Sequence, residues 1–60
     1  MITDKEFVDA VRNVRLSRVQ LAELLGVSLP TIRRWRAGQN LPYQTVRTLL
    51  MAPLRVYAKP

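Results

Sequence analysis

The sequence predicts a small all-α domain, and three observations predict it. Two capping-box patterns each precede apolar residues at helical spacing, glycine and proline fall only at the boundaries between such stretches, and 60 residues of one composition leave room for a single domain. The domain spans residues 1–60 and divides into four helical patterns and a tail.

The first pattern opens at Thr3-Asp4-Lys5-Glu6, where the Thr3 hydroxyl can meet the third helical amide and Glu6 can reach back. Phe7, Ala10, Val11 and Val14 follow at helical spacing, which predicts a helix over about residues 4–14. Ser17-Arg18-Val19-Gln20 repeats the device. Leu21, Ala22, Leu24 and Leu25 then supply an apolar stripe until Gly26, which takes a left-handed turn cheaply, so the second helix covers about residues 18–25.

Ser28 is a natural N-cap, and Pro30 in the first turn lacks an amide that would have had no partner there. The third helix therefore runs from Leu29 to Ala37, with Ile32 and Trp35 inward and Gly38 closing it. A Gln39-Asn40-Leu41 loop leads to Pro42 as a first-turn residue of the fourth helix. Val46, Leu49 and Leu50 share one of its sides, and Pro53 is expected to end it. In the tail, residues 53–60, Leu54-Arg55-Val56-Tyr57 alternates with period two, the pattern of a short strand. Pairing of two tails and packing of the tail against the first helix are both open at this point.

Charge is distributed unevenly along the chain. The net charge is +6, yet Lys5, Arg12, Arg15 and Arg18 are balanced by all the acids, Asp4, Glu6, Asp9 and Glu23. From residue 24 onward, Arg33, Arg34, Arg36, Arg47, Arg55 and Lys59 meet no acid at all. Such a segment suits a polyanion, nucleic acid or an anionic surface, against the blander alternative of a solvated face that aids solubility.

Several functions find no support in the residues. With no cysteine and no histidine there is no disulfide framework and no thiolate or imidazole metal site. The acids never pair beside a nucleophile and base, so neither an enzyme nor a cofactor is expected. No apolar run reaches the ~18 residues of a spanning helix, and the N-terminus lacks the order of a signal peptide; a cytoplasmic protein is the expectation.

The most informative stretch is Leu21-Ala22-Glu23-Leu24-Leu25-Gly26-Val27-Ser28. Its details suit two helices crossing steeply through a turn of three or four residues, a helix-turn-helix over about residues 18–38. Ala22 is small where the backbones approach, Gly26 takes the turn, and Leu21, Leu25, Val27, Ile32 and Trp35 form the wedge between the helices.

Through Leu-Ala-Glu-Leu-Leu-Gly-Val-Ser, then Thr31-Ile32, Trp35, Gly38 and Pro42, the chain resembles the Cro and CI repressor-like helix-turn-helix family of phage and bacterial regulators. The resemblance covers about residues 3–52 and is strongest from 18 to 42. It implies a compact four- to five-helix repressor-like bundle that binds operator DNA as a homodimer, the second helix across the backbone and the third in the groove. It also implies a place in a bacterial cell or phage-infected host, on the nucleoid, with double-stranded DNA as partner and no membrane or small-molecule substrate. Two departures stand out: Arg36 and Val11 occupy the places where the family pairs a glutamate with an arginine, and the chain stops soon after the fourth helix.

Side chains just after the cap of an inserted helix, and one turn further along, reach base edges, which marks Leu29, Pro30, Arg33 and Arg34. Arg34 matches a base-reading position of the family, and its guanidinium fits guanine N7 and O6. Arg33 is open to either a base edge or a phosphate, and Leu29 to a thymine methyl or the core. Backbone contact falls to Arg18 and Ser28 at helix starts, to Thr31 and Arg36, and to Gln39, Asn40, Tyr43 and Arg47 along the flank. For Ser28 the alternative is capping alone, and for Tyr43 simple packing. Trp35 belongs in the core by its spacing from Ile32 rather than against a base, and its indole N–H then needs a partner.

The expected function is a sequence-specific double-stranded DNA-binding regulator of phage or prophage type, Cro or repressor, on a two-fold operator with half-sites about 34 Å apart. An excisionase-like or antitoxin-like protein using the same motif is the nearest alternative. A basic protein-interaction module is the more distant one.

Overall fold

Both capping boxes read from the sequence form. The Glu6 amide donates to Thr3 Oγ1 at 3.1 Å while the Thr3 amide donates to Glu6 Oε1 at 3.1 Å. Ser17 and Gln20 repeat the exchange at 3.1 and 2.9 Å. Each box satisfies orphan amides of a helix start, and the two starts fall where the sequence puts them.

The computed structural model describes residues 1–60 and is all-helical: α1 (Asp4–Arg12), α2 (Arg18–Leu25), α3 (Leu29–Arg36) and α4 (Gln44–Val56). α1 packs on α3 and α4, and α2 packs on the same two helices. Between α2 and α3, Gly26 sits at φ 70°, ψ 32°, the left-handed conformation that costs an L-residue but not glycine. The Val27 amide then donates to Ala22 O at 3.0 Å and closes the turn.

One cluster fills the centre: Phe7, Val11 and Val14, Leu21 and Ala22, Ile32 and Trp35, and Leu54. Leu25 and Val27 pack against it, so the five residues expected between the second and third helices all belong to this core or border it. Phe7 and Trp35 meet edge to face, 5.4 Å between centroids at 73°, the geometry that ring quadrupoles favour.

Several expectations are corrected. The first helix ends at Arg12 rather than near 14, because Val14 leaves it to form an isolated antiparallel bridge with Ala58 while staying buried. The Arg15 amide donates to Tyr57 O and the Lys59 amide to Asn13 O, both at 2.9 Å. The third helix stops at Arg36, with Ala37 as its C-cap, and in the second helix Leu24 faces solvent instead of the core.

The fourth helix differs most. It starts at Gln44 with Tyr43 as N-cap, so Pro42 lies before it, and it runs through Pro53 to Val56. The bond that Pro53 cannot donate would have reached the carbonyl of Leu49, a residue on the exposed side where water can serve it. Burial of Leu54 repays continuing the helix. The apparent period-two alternation of residues 54–57 is thus a helical spacing, Leu54 inward and Tyr57 three positions on and half-buried. The inward side of α4 is Arg47, Leu50, Met51 and Leu54; of the three residues expected there, Leu50 packs on the core, Val46 stands outside the cluster and Leu49 is exposed. Of the expected extended tail, only the Ala58 bridge is formed, and it packs the tail onto the segment that follows α1.

Candidate nucleic-acid interface

α3 divides by the period of the helix into unlike sides. Ile32 and Trp35, three apart, are buried, and the Trp35 indole N–H donates to Asn40 O at 3.0 Å, which supplies the partner its burial requires. Arg33 and Arg34 project into solvent, as does Pro30. Leu29 is half-buried and stands outside the core cluster, so its side chain remains at the surface of the helix start.

Local hydrogen bonds hold this helix in place at both ends. Ser28 Oγ accepts from the Thr31 amide at 3.4 Å, and the Ser28 and Thr31 hydroxyls lie 2.9 Å apart. Both side chains thus engage each other at the helix start while Ser28 remains exposed. At the far end Gly38 adopts φ 77°, and the Gln39 amide reaches back to Arg34 O at 2.7 Å. Asn40 follows at φ 49°, a conformation that asparagine tolerates better than most residues. The loop therefore presents the exposed side chains of Gln39 and Asn40 at the end of α3, with Tyr43, 87% exposed, just beyond.

Arg47 is not available to a backbone phosphate. Its Nε donates to Pro42 O at 2.7 Å, its Nη1 donates to Ile2 O at 3.0 Å and meets Asp4 at 2.8 Å, and its Cζ lies 5.9 Å from the centre of the Phe7 ring. A guanidinium with these partners is a structural clamp between the N-terminal segment and α4, its Nε and Nη1 engaged inside the fold. The expectation that Arg47 lies along the flanking backbone is overturned by its burial.

Three of the four other expected arginines come together with one addition, while Arg34 stands apart. Arg18 from the start of α2 and Arg33 and Arg36 from α3 line an open cleft of about 440 Å³ with Arg12 and Ala37. Arg12 Nε donates to Arg36 O at 2.8 Å, which fixes the end of α1 against the end of α3. Arg12 was absent from the sequence-derived set, since nothing in the local pattern says which way the last turn of α1 points. The only signal was its being a basic residue off the apolar stripe.

Nothing acidic neutralises this side of the molecule. The ion pairs are Lys5–Asp9 at 2.9 Å and Arg47–Asp4. The Glu6 carboxyl is held below its ordinary range by its hydrogen bonds with the Thr3 backbone and side chain, and the Lys5 ammonium is raised by its hydrogen bond to Asp9. These groups belong to α1, its cap and α4, and none of them is on α3. Acidic side chains form no cluster able to hold a metal ion. No helix is long and apolar enough to cross a membrane.

Compared with known protein families, curated proteins and solved structures, the chain matches none of them.

Proposed function

We propose that this protein is a sequence-specific double-stranded DNA-binding transcription regulator of the Cro and CI repressor-like kind, with α2 and α3 as its helix-turn-helix. The observation that carries the reading is the division of α3: Ile32 and Trp35 anchor the helix in the core while Arg33 and Arg34 stand in solvent with no carboxylate paired to them. An exposed short helix bearing unpaired guanidiniums, seated on a packed partner helix, is the arrangement that enters a major groove.

In this reading Arg34 donates both arms of its fork to a guanine edge, and Leu29 and Pro30 give apolar contact near the helix start. Arg18, Ser28, Thr31, Arg36, Gln39, Asn40 and Tyr43 flank the groove and hold phosphates. Two copies bind a two-fold operator, and occupancy itself, by blocking or recruiting polymerase, is the activity. A phage or prophage regulator is the setting that the motif suggests.

Selection of bound sequences from a random duplex library tests this directly. The expected result is a palindromic consensus, bound with an affinity that falls linearly on a log–log plot against salt and that exceeds random duplex by several kcal/mol. Recovery of no sequence above the random competitor would sink the regulator reading.

A further inference from the structure

Four guanidiniums from three elements surround one open cleft: Arg12 at the end of α1, Arg18 at the start of α2, and Arg33 and Arg36 on α3. None of them is paired with a carboxylate, since Asp4 and Asp9 are engaged with Arg47 and Lys5, and neither Glu6 nor Glu23 lines the cleft. Like charges gathered without a counterion repel one another, and a bound anion relieves that repulsion.

The donor geometry narrows the anion. Arg12 is held by its Nε bond to Arg36 O, which leaves four of its five N–H groups free and limits how far its fork can swing. Forks arriving from α1, α2 and α3 suit a tetrahedral oxyanion, whose oxygens point in several directions, better than a planar carboxylate. Arg34, one residue and about 100° around the helix from Arg33, does not line the cleft. A duplex resting on the Arg34 side would carry its sugar–phosphate strand past the cleft.

We propose that this cleft seats a backbone phosphate of duplex DNA. Arg33 then belongs to the phosphate and not to a base, Arg12 joins the contact set, and Arg34 is the arginine left to read sequence. The assignment rests on the DNA-binding reading above and sharpens it, because it separates two neighbouring arginines that the sequence alone treats alike.

Two measurements test it. In the first, Arg33→Ala, Arg18→Ala and Arg12→Gln are titrated with a selected duplex and a random duplex over a range of salt. Each is expected to weaken both duplexes by the same factor, about 3- to 10-fold, and to reduce the salt slope by about 1. Loss of preference at a single base pair in Arg33→Ala would return that residue to the bases and overturn the assignment.

In the second, inorganic phosphate is titrated into the free protein at constant ionic strength while arginine Nε–H resonances are followed. Shifts at Arg12, Arg18, Arg33 and Arg36 that exceed those at Arg34 and Arg55 are expected, and uniform shifts would refute the cleft as a site. This holds even if no duplex is bound above random, in which case the regulator reading fails and the cleft is judged alone. A mononucleotide bound more tightly than duplex at equal phosphate concentration would assign the cleft to a small ligand and overturn the proposal.

Discussion

Arg47 and Asp4 meet at 2.8 Å across the junction of the N-terminal segment and α4, with the arginine buried and the aspartate largely in water. The unequal exposure predicts unequal costs. Removing the Arg47 side chain leaves the carbonyl of Pro42 without its donor and that of Ile2 with Gln44 alone, so Arg47→Ala is expected to destabilise by about 2–4 kcal/mol in urea unfolding. Asp4→Asn, at an exposed partner, should cost less than about 1 kcal/mol. Binding to DNA per folded molecule should be unchanged in both, which separates a clamp from a phosphate contact.

Arg34→Ala is expected to relax discrimination at one base pair of the operator by about 1–3 kcal/mol while leaving affinity for random duplex nearly intact. Competition with operator variants reads this out. A uniform loss across all variants would place Arg34 on the backbone.

Gly26→Ala tests the turn. A Cβ at Gly26 meets nothing within 4 Å, so any loss of stability comes from forcing φ 70° on an L-residue. The expected cost is about 1–2 kcal/mol by chemical unfolding, and it should be recovered in part by Gly26→Asn, which tolerates the left-handed region better.

The capping box of α1 gives a pH dependence. Hydrogen bonding with Thr3 lowers the Glu6 pKa below its ordinary 4.5, so the folded state binds the proton less readily than the unfolded one. The contribution is complete above the ordinary value and is lost as pH falls through the depressed one. Thr3→Ala should therefore shrink the acid-side decline in melting temperature below about pH 4.5 relative to the parent, with Glu6→Gln behaving alike. An unchanged acid limb in both variants would refute it.

The end of α4 carries core. Leu54→Ala is expected to cost about 2–5 kcal/mol, and a chain cut before Pro53 should not fold, since it loses Leu54 together with the hydrogen bonds between residues 57–59 and residues 13–15. Circular dichroism of the shortened chain would read this out as loss of helix.

The helices that open on side-chain caps were the legible part of this chain. Thr3/Glu6, Ser17/Gln20 and Ser28 carry their own start signals in local sequence, and Gly26 and Gly38 carry the stops. α4 was harder because its cap, Tyr43, makes no side-chain hydrogen bond and Pro53 looks like a terminator. Burial of Leu54, a tertiary fact, decides that the helix continues. Arg47 misled for the same kind of reason: its charge reads as a surface feature, whereas the carbonyl of Ile2, 45 positions away, and that of Pro42 hold it inside the fold. The split between Arg33 and Arg34 was only partly legible, since helical period separates their directions but not the neighbours those directions meet.

The hydrogen bonds that join Ile2 to Gln44 and Arg47, residues 42 and 45 positions away, have a consequence for autonomy. With residues 13–15 joined to residues 57–59 as well, the two ends of the chain form a ring around the α2–α3 hairpin. Closing so long a loop must be offset by contacts made at once, so folding is expected to be all-or-none and the hairpin is not expected to persist by itself. A peptide of residues 17–39 would hold the arginines of α3 and yet remain mostly unstructured in water, too short for its helices to persist without α1 and α4.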